Sequence, residues 1–252
     1  MSALALASQG RFAEWLAERH AGVRVMSAFA FAVVAVSLSD LLVLTLAIAT
    51  SIGFALALGL PWRLLVRRVL ALEGFMLVLV AFLPFSVPGE PLARLGALSL
   101  TAEGLHRAGE ILLTANAVML TALSLLGTMD PARLGYGLAW LRVPEALVHL
   151  FLFTVRYVGI LQDEYARLRR AMRARAFQPG VNRHSWRAFG FLVGMLLVRA
   201  LERSRRVHDA MKCRGFQGRL HLVQSARWSR ADSLTALGTT AFLAGLLLLE
   251  HL

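Results

Sequence analysis

Cysteine is almost absent from this chain, since Cys213 is the single one among 252 residues. One cysteine cannot form an intrachain disulfide or a cysteine cluster for zinc, so it indicates nothing about the redox compartment. Charge is also scarce, because Asp, Glu, Lys and Arg make up 17% of the chain, against roughly 25% in soluble domains. A soluble fold is therefore disfavoured.

Patterns that carry catalysis or nucleotide binding are missing as well. The seven histidines show neither metalloprotease spacing nor a compact cluster with carboxylates, and no Gly-Lys-Ser or Gly-Lys-Thr ending marks a phosphate-binding loop. We therefore expect no catalytic residue and no metal site in this chain, and any ATP to be bound by another chain. A membrane-embedded enzyme would have to use residues whose spacing supports no site: His106, Glu110, His149 and Asp163.

Acidic residues are few within the apolar runs. Asp40, Glu73 and Glu110 could in principle form an ion or proton path across a membrane. Because they are scattered and lie near the ends of apolar runs, we favour structural or interfacial roles for them.

Apolar residues, by contrast, are abundant: they make up 58% of the chain, and the mean hydropathy is +0.63. We predict an all-α, polytopic membrane bundle of about five to seven spans, at roughly 20 residues for each span. The expected division is into N-terminal spans (1–129, with an external loop near 88–107), a basic cytoplasmic region with membrane-associated helices (130–230), and a C-terminal span (231–252).

The net charge of +12 is concentrated in one part of the chain. Between Asp130 and Arg230 lie 19 of the 27 Lys and Arg residues but only 6 of the 15 Asp and Glu residues. Such a basic balance can indicate nucleic-acid binding, but these residues are interleaved with runs of membrane length. The positive-inside rule therefore places this region in the cytoplasm. We expect a multi-pass protein of the plasma membrane with no nucleic-acid partner.

Turn residues and caps indicate the course of the chain. The basic turn at 61–63 is expected in the cytoplasm and Asp40 outside. Asp130 before Pro131 predicts the start of a short interfacial helix, and a long helix is expected from Glu145 into the cytoplasm. The apolar run 189–201 is compatible with a span, a re-entrant segment or an amphipathic helix.

Two seven-residue stretches share the pattern Ala-Met-basic-small-Arg-small-Phe. We call residues 171–177 the first arginine repeat and residues 210–216 the second. Small residues let a helix end approach a partner closely, while arginine donates in a planar fork to carboxylates or carbonyls. We predict that each repeat docks into a groove of a cytosolic partner. The central residues are Ala174, Arg175, Ala176, Cys213, Arg214 and Gly215, supported by the apolar anchors Met172, Phe177, Met211 and Phe216.

The alternative for these arginines is contact with anionic lipid headgroups. Headgroup contact does not explain why the pattern recurs, so we favour docking for Arg175 and Arg214. We favour headgroup contact for the surrounding arginines: Arg167, Arg169, Arg170, Arg203, Arg205 and Arg206.

These features resemble a known family, the transmembrane coupling (T) subunits of energy-coupling factor transporters, in its cobalt/nickel branch. The resemblance covers most of the chain. Its most specific parts are Arg156-Tyr157, Asp163-Glu164, the first repeat, His184-Ser185-Trp186, residues 197–207, and the second repeat with Gln217-Gly218. The family's usual Ala-Arg-Gly is altered at one place in each repeat, by Ala176 and by Cys213, and both substitutes are small.

The resemblance implies a non-catalytic subunit of an ABC-type importer. Two cytosolic ATPases, using ATP and Mg, would dock on the two repeats and move a separate substrate-binding membrane subunit, which would bind Co2+ or Ni2+. This chain itself would bind no cofactor. The alternatives are a self-contained permease and a coupling subunit that serves a vitamin-type substrate.

Overall fold

The computed structural model describes residues 11–86, 91–95, 98–216 and 228–251. Within these residues the chain forms nine helices and one short antiparallel hairpin. In chain order they are α1 (Arg11–Ala17), α2 (Ala21–Ser37), α3 (Leu41–Ala57), α4 (Trp62–Ser86), β1 (Pro91–Leu95), β2 (Leu98–Thr101), α5 (Ala102–Leu125), α6 (Pro131–Trp140), α7 (Glu145–Ala174), α8 (Arg183–Cys213) and α9 (Arg230–Glu250).

The expected helical membrane fold is confirmed. Among the described helices, α5, α7 and α9 are long and apolar enough to cross a membrane, and α2 and α3 are shorter apolar helices. The total of five to seven spans stays a prediction. The apolar run 189–201 is the middle of the continuous helix α8, so its backbone does not turn back within the run.

Caps explain why several helices begin where they do. The Asp130 carboxylate accepts a hydrogen bond from the Ala132 amide at 3.1 Å, and Pro131 occupies the first helical position, as predicted for α6. Part of the segment expected as an external loop, 88–107, belongs to the described residues. The hairpin lies in this segment, and α5 begins at Ala102, where the Thr101 hydroxyl caps the Gly104 amide. The position of this segment outside the membrane stays a prediction.

The described chain divides into two compact units. The first, here the bundle unit, comprises residues 1–141 and 226–252, and the second, here the arm unit, comprises residues 142–225. The bundle unit contains α1–α6, the hairpin and α9, and the arm unit contains α7 and α8. The expected boundaries at 129/130 and 230/231 stay predictions.

Long-range hydrogen bonds define one end of the bundle unit. The His20 amide donates to Asp232 Oδ1 at 2.9 Å, so the N-termini of α2 and α9 lie together. The buried Arg24 guanidinium donates to the Leu125 carbonyl at 2.5 Å, which brings the C-terminus of α5 to the same place. A cation at a helix C-terminus is favoured by the helix dipole. Helices α2 and α9 therefore run parallel to each other and antiparallel to α5.

The opposite end of the bundle unit carries acidic residues. The Glu250 carboxylate at the end of α9 accepts a hydrogen bond from the Ser39 amide at 2.7 Å, in the turn between α2 and α3. Asp40 caps α3 through the Leu42 amide at 3.0 Å. Asp40 thus has the structural role expected for it. The side chain of Glu73 lies outside the described part of the chain.

Polar side chains inside the bundle unit pair across helices, as expected for membrane helices. The Ser51 and Thr121 hydroxyls lie 2.9 Å apart and join α3 to α5. The Ser27 and Thr239 hydroxyls lie 3.4 Å apart and join α2 to α9. Two clusters of buried apolar residues form the core of the unit.

Candidate docking site: two arginine-bearing helix ends

The first arginine repeat is the C-terminus of α7. The helix ends at Ala174, and Ala176 has a φ of 59°, in the left-handed region. The Phe177 amide donates to the Met172 carbonyl at 3.1 Å, and the Ala176 amide donates to the Arg173 carbonyl at 3.0 Å. These two bonds, with a left-handed residue between them, define a Schellman C-cap.

The second arginine repeat ends α8 in the same way. The helix stops at Cys213, and Gly215 has a φ of 77°. The Phe216 amide donates to the Met211 carbonyl at 3.1 Å, and the Gly215 amide donates to the Lys212 carbonyl at 3.0 Å. The shared sequence pattern is therefore a shared backbone geometry, in which the central arginine is the cap residue at both ends.

This geometry gives the Met and Phe of each repeat a local role. They occupy the two positions, four residues before and one residue after the left-handed residue, whose side chains commonly pack together in this cap. Met172, Phe177, Met211 and Phe216 are all half-buried. We predicted contact of these four residues with a partner, and that contact stays a prediction. The same cap at both helix ends therefore explains in part why the pattern recurs, which we had attributed to docking.

The three central residues of each repeat are exposed. They are Ala174, Arg175 and Ala176 in the first repeat and Cys213, Arg214 and Gly215 in the second. In the described part of the chain, neither central guanidinium takes part in an ion pair. Each helix thus ends in an arginine that is open to solvent, between small residues that leave its surroundings clear.

The two repeats differ in their surroundings. The Phe177 ring packs edge-to-face on Phe189 with centroids 5.9 Å apart and lies 6.1 Å from the ring of His184. Met211 and Phe216, by contrast, line a largely apolar cavity of about 530 Å³ between α7 and α8. The first repeat is supported by aromatic packing, whereas the second borders an open cavity.

A buried carboxylate joins the two helices that carry the repeats. Glu164 of α7 is 8% exposed and forms an ion pair with Arg199 of α8. Its other oxygen pairs with Arg167 at 2.5 Å, one turn further along α7. We had assigned Arg167 to lipid headgroups, and the structure gives it this intramolecular partner. Sequence reasoning missed the pairing of Glu164 with Arg199, because 35 residues separate them.

The residues considered for an enzyme belong to two different units. His106 Nδ1 lies 2.9 Å from Glu110 Oε1 within α5 of the bundle unit. His149 and Asp163 belong to α7 of the arm unit. Within the described residues, no three His, Cys, Asp or Glu side chains gather as a metal site would require.

A comparison with known protein families shows the family to which this chain belongs. The model of a family described as "Cobalt transport protein" (CbiQ) matches residues 12–224, which include both repeats. This chain belongs to the CbiQ family. The match extends over most of the bundle unit as well as the arm unit, and the resemblance stated from the sequence is therefore confirmed.

Two named CbiQ proteins are among the relatives. The chain is 32% identical over 129 residues to the "Cobalt transport protein CbiQ" of Rhodobacter capsulatus, in a match that covers 51% of this chain and 52% of that protein. It is 32% identical over 158 residues to the protein of the same name from Salmonella typhimurium, covering 59% of this chain and 69% of that protein. The chain thus spans about half to two thirds of these relatives.

A more distant relative is an uncharacterized protein of Methanocaldococcus jannaschii, 26% identical over 85 residues, or 34% of this chain and 31% of that protein. With the span-capable helices, the CbiQ assignment makes this chain an integral membrane protein of a transport family.

The left-handed residues of the two repeats lead to a stability prediction. We expect Ala176→Gly to raise the free energy of unfolding by about 1 kcal/mol, because an L-residue in this region is strained by roughly that amount. Gly215→Ala is expected to lower it by a similar amount, and solely through backbone strain, since an added Cβ would meet no atom within 4 Å. Thermal unfolding of the purified variants in one detergent measures both changes. A lower melting temperature for Ala176→Gly would contradict the left-handed cap.

Proposed function

We propose that this chain is the transmembrane coupling subunit of an energy-coupling factor importer for cobalt or nickel ions. The observation that carries the proposal is the pair of identically capped helix ends, each with an exposed arginine between small residues. A guanidinium in this position can donate in a planar fork to carboxylates or carbonyls that line a partner's groove. Two such ends in one chain suit two copies of one partner or two similar partners.

The proposed partners of the repeats are two cytosolic ABC ATPases. Nucleotide-driven closure of the ATPase pair, with ATP and Mg bound by the ATPases, would bring the ends of α7 and α8 towards each other or tilt them. The Glu164–Arg199 pair supports this mechanism, since it lets a force applied to one helix reach the other. In this mechanism the chain transmits motion and catalyses no reaction.

A substrate-binding membrane subunit is the third proposed partner. The exposed surface of α8 between the charged ends is rich in large apolar side chains, which is typical of an interaction surface. They include Trp186, Phe191, Val193, Met195, Leu197, Val198 and Leu201. The adjoining cavity between α7 and α8 is largely apolar and adds to this surface. We propose that the membrane subunit packs here, with the complex in the plasma membrane.

The proposed cargo is a cobalt or nickel ion, carried by the membrane subunit. The family description and the names of the two relatives support cobalt. In this proposal the ion is a substrate of the complex and not a ligand of this chain.

Co-purification from mild detergent tests the proposal. We expect the tagged chain to retain two copies of an ATPase, Arg175→Ala or Arg214→Ala to retain about one, and the double variant to retain none. Intact-complex mass measurement gives the copy number. Failure of the wild-type chain to retain an ATPase, together with ion uptake by the chain alone, would favour a self-contained permease instead. Uptake of a vitamin by the complete complex would overturn the metal assignment alone.

A further inference from the structure

Three aromatic rings meet at the end of the bundle unit that carries Asp232. The rings of Trp140 and Trp228 stack with centroids 5.3 Å apart and an interplanar angle of 20°. The His20 ring lies 5.3 Å from Trp140 and 5.8 Å from Trp228. Every pair of rings therefore lies within the distance at which aromatic side chains attract one another.

The two tryptophans lie close in sequence to the places where the chain leaves and re-enters the bundle unit. Trp140 is the last residue of α6, and the chain passes into the arm unit just after it, between Leu141 and Arg142. Trp228 is the first described residue of the bundle unit after the chain returns from the arm unit. Both connections to the arm unit therefore adjoin a single aromatic stack in the bundle unit.

Hydrogen bonds fix the positions of His20 and Trp228 in the cluster. The Trp228 indole donates to the Ser233 hydroxyl at 2.7 Å, and His20 Nδ1 accepts from the Gly22 amide at 3.1 Å. Asp232 accepts from the His20 amide with one oxygen and from the Ser229 amide at 2.9 Å with the other. The side chain of Asp232 thus ties the histidine to the segment that begins with Trp228.

A glycine provides the space for Trp140. A Cβ atom added at Gly22 would overlap Trp140 Cε3 and would lie 3.0 Å from Cδ2 of the same ring. The first turn of α2 is therefore shaped around the indole of Trp140. Arg142, the first residue of the arm unit, has a φ of 59°, so the backbone turns sharply two residues after Trp140.

We infer that His20, Trp140 and Trp228 are positioning residues that fix both connections to the arm unit at one point of the bundle unit. The consequence of this inference rests on the proposed function: motion imposed on the arm unit reaches the helices of the bundle unit through two connections that are held together. If the stack is broken, the connections move independently and the motion is lost before it reaches the bundle.

Hydrogen exchange in the full-length chain tests the cluster without any partner. We expect Trp228→Ala to accelerate amide exchange about tenfold at 139–142 as well as at 228–233, although the substitution lies in one segment only. Gly22→Ala should also accelerate exchange in both segments, because the added Cβ atom displaces the Trp140 ring. Acceleration confined to 228–233 in Trp228→Ala would overturn the inference, whatever the partners of the chain are.

Transport in the reconstituted complex tests the consequence. We expect Trp140→Ala and Trp228→Ala to lower ion uptake about tenfold, while ATPase co-purification and ATP hydrolysis stay within twofold of wild type. Trp228→Phe, which keeps an aromatic ring, should restore at least half of the uptake. Trp62→Ala is the matched control, because Trp62 is 63% exposed on α4, and it should leave uptake unchanged. Normal uptake in Trp228→Ala, or its loss together with ATPase binding, would contradict a positioning role.

Discussion

We expect the double variant Arg175→Ala/Arg214→Ala to lose ATP-driven ion uptake completely while the protein stays folded. Both side chains are exposed and, in the described structure, unpaired, so their removal leaves no buried group without a partner. An interface arginine that acts as a hot spot contributes about 2 kcal/mol or more to binding. Such a loss weakens docking at each repeat by roughly thirtyfold, and assembly with both ATPases by roughly a thousandfold, since each 1.4 kcal/mol is about tenfold.

The matched control for this variant is Arg169→Ala/Arg205→Ala. Both control residues are exposed on the same two helices, outside the repeats, and the double substitution changes the net charge equally. If general attraction to lipid headgroups mattered most, both double variants would lose activity to the same degree. The lysine variants add a second comparison, since lysine keeps the charge but cannot form the planar fork. Wild-type uptake from a stable Arg175→Ala/Arg214→Ala protein would refute the docking role.

Glu164→Ala is expected to loosen the pairing of α7 and α8 by about 2 kcal/mol. A hydrogen bond to a charged group contributes about 1.5–3 kcal/mol, and Glu164 forms such bonds with Arg167 and Arg199. The two arginine side chains are 59% and 50% exposed, so water solvates them once the carboxylate is gone. The expected loss therefore stays below the 3–5 kcal/mol typical of a fully buried pair.

The measurement is a thermal unfolding series combined with a double-mutant cycle. Glu164→Gln and Arg199→Gln, alone and together, isolate the coupling energy between the two helices. Glu202→Ala is the control, because Glu202 is exposed and lies 3.9 Å from Arg206. That exposed pair should contribute less than about 0.5 kcal/mol. Equal destabilisation by Glu164→Ala and Glu202→Ala would show that the buried bridge has no special role.

Much of the architecture could be predicted from the sequence. Apolar runs, the Asp130-Pro131 cap and the long helix from Glu145 correspond to helices in the structure. The hairpin and the start of α5 at Ala102 were not predicted, because the hydroxyl cap of Thr101 was not recognised. Such boundaries depend on single side chains rather than on hydropathy averaged over a span.

The arginine repeats were found from the sequence, but their geometry was not. Residues Met172 and Phe177 were interpreted as anchors for a partner, although their spacing around Ala176 also fits a Schellman cap. The left-handed φ of Ala176 could not be anticipated from alanine, which seldom adopts it. In the second repeat, Gly215 gave a clearer indication of the same cap.

By itself, the sequence determined that this chain is a helical membrane protein and that two helices end in the same arginine-bearing pattern. Both properties are local, since hydropathy acts over about 20 residues and a helix cap over about six. Only the tertiary structure decided that Glu164 meets Arg199, and that His20 meets Trp140 and Trp228 beside both connections to the arm unit. Those contacts join residues far apart in the chain, and packing of whole helices, which no local spacing encodes, brings them together.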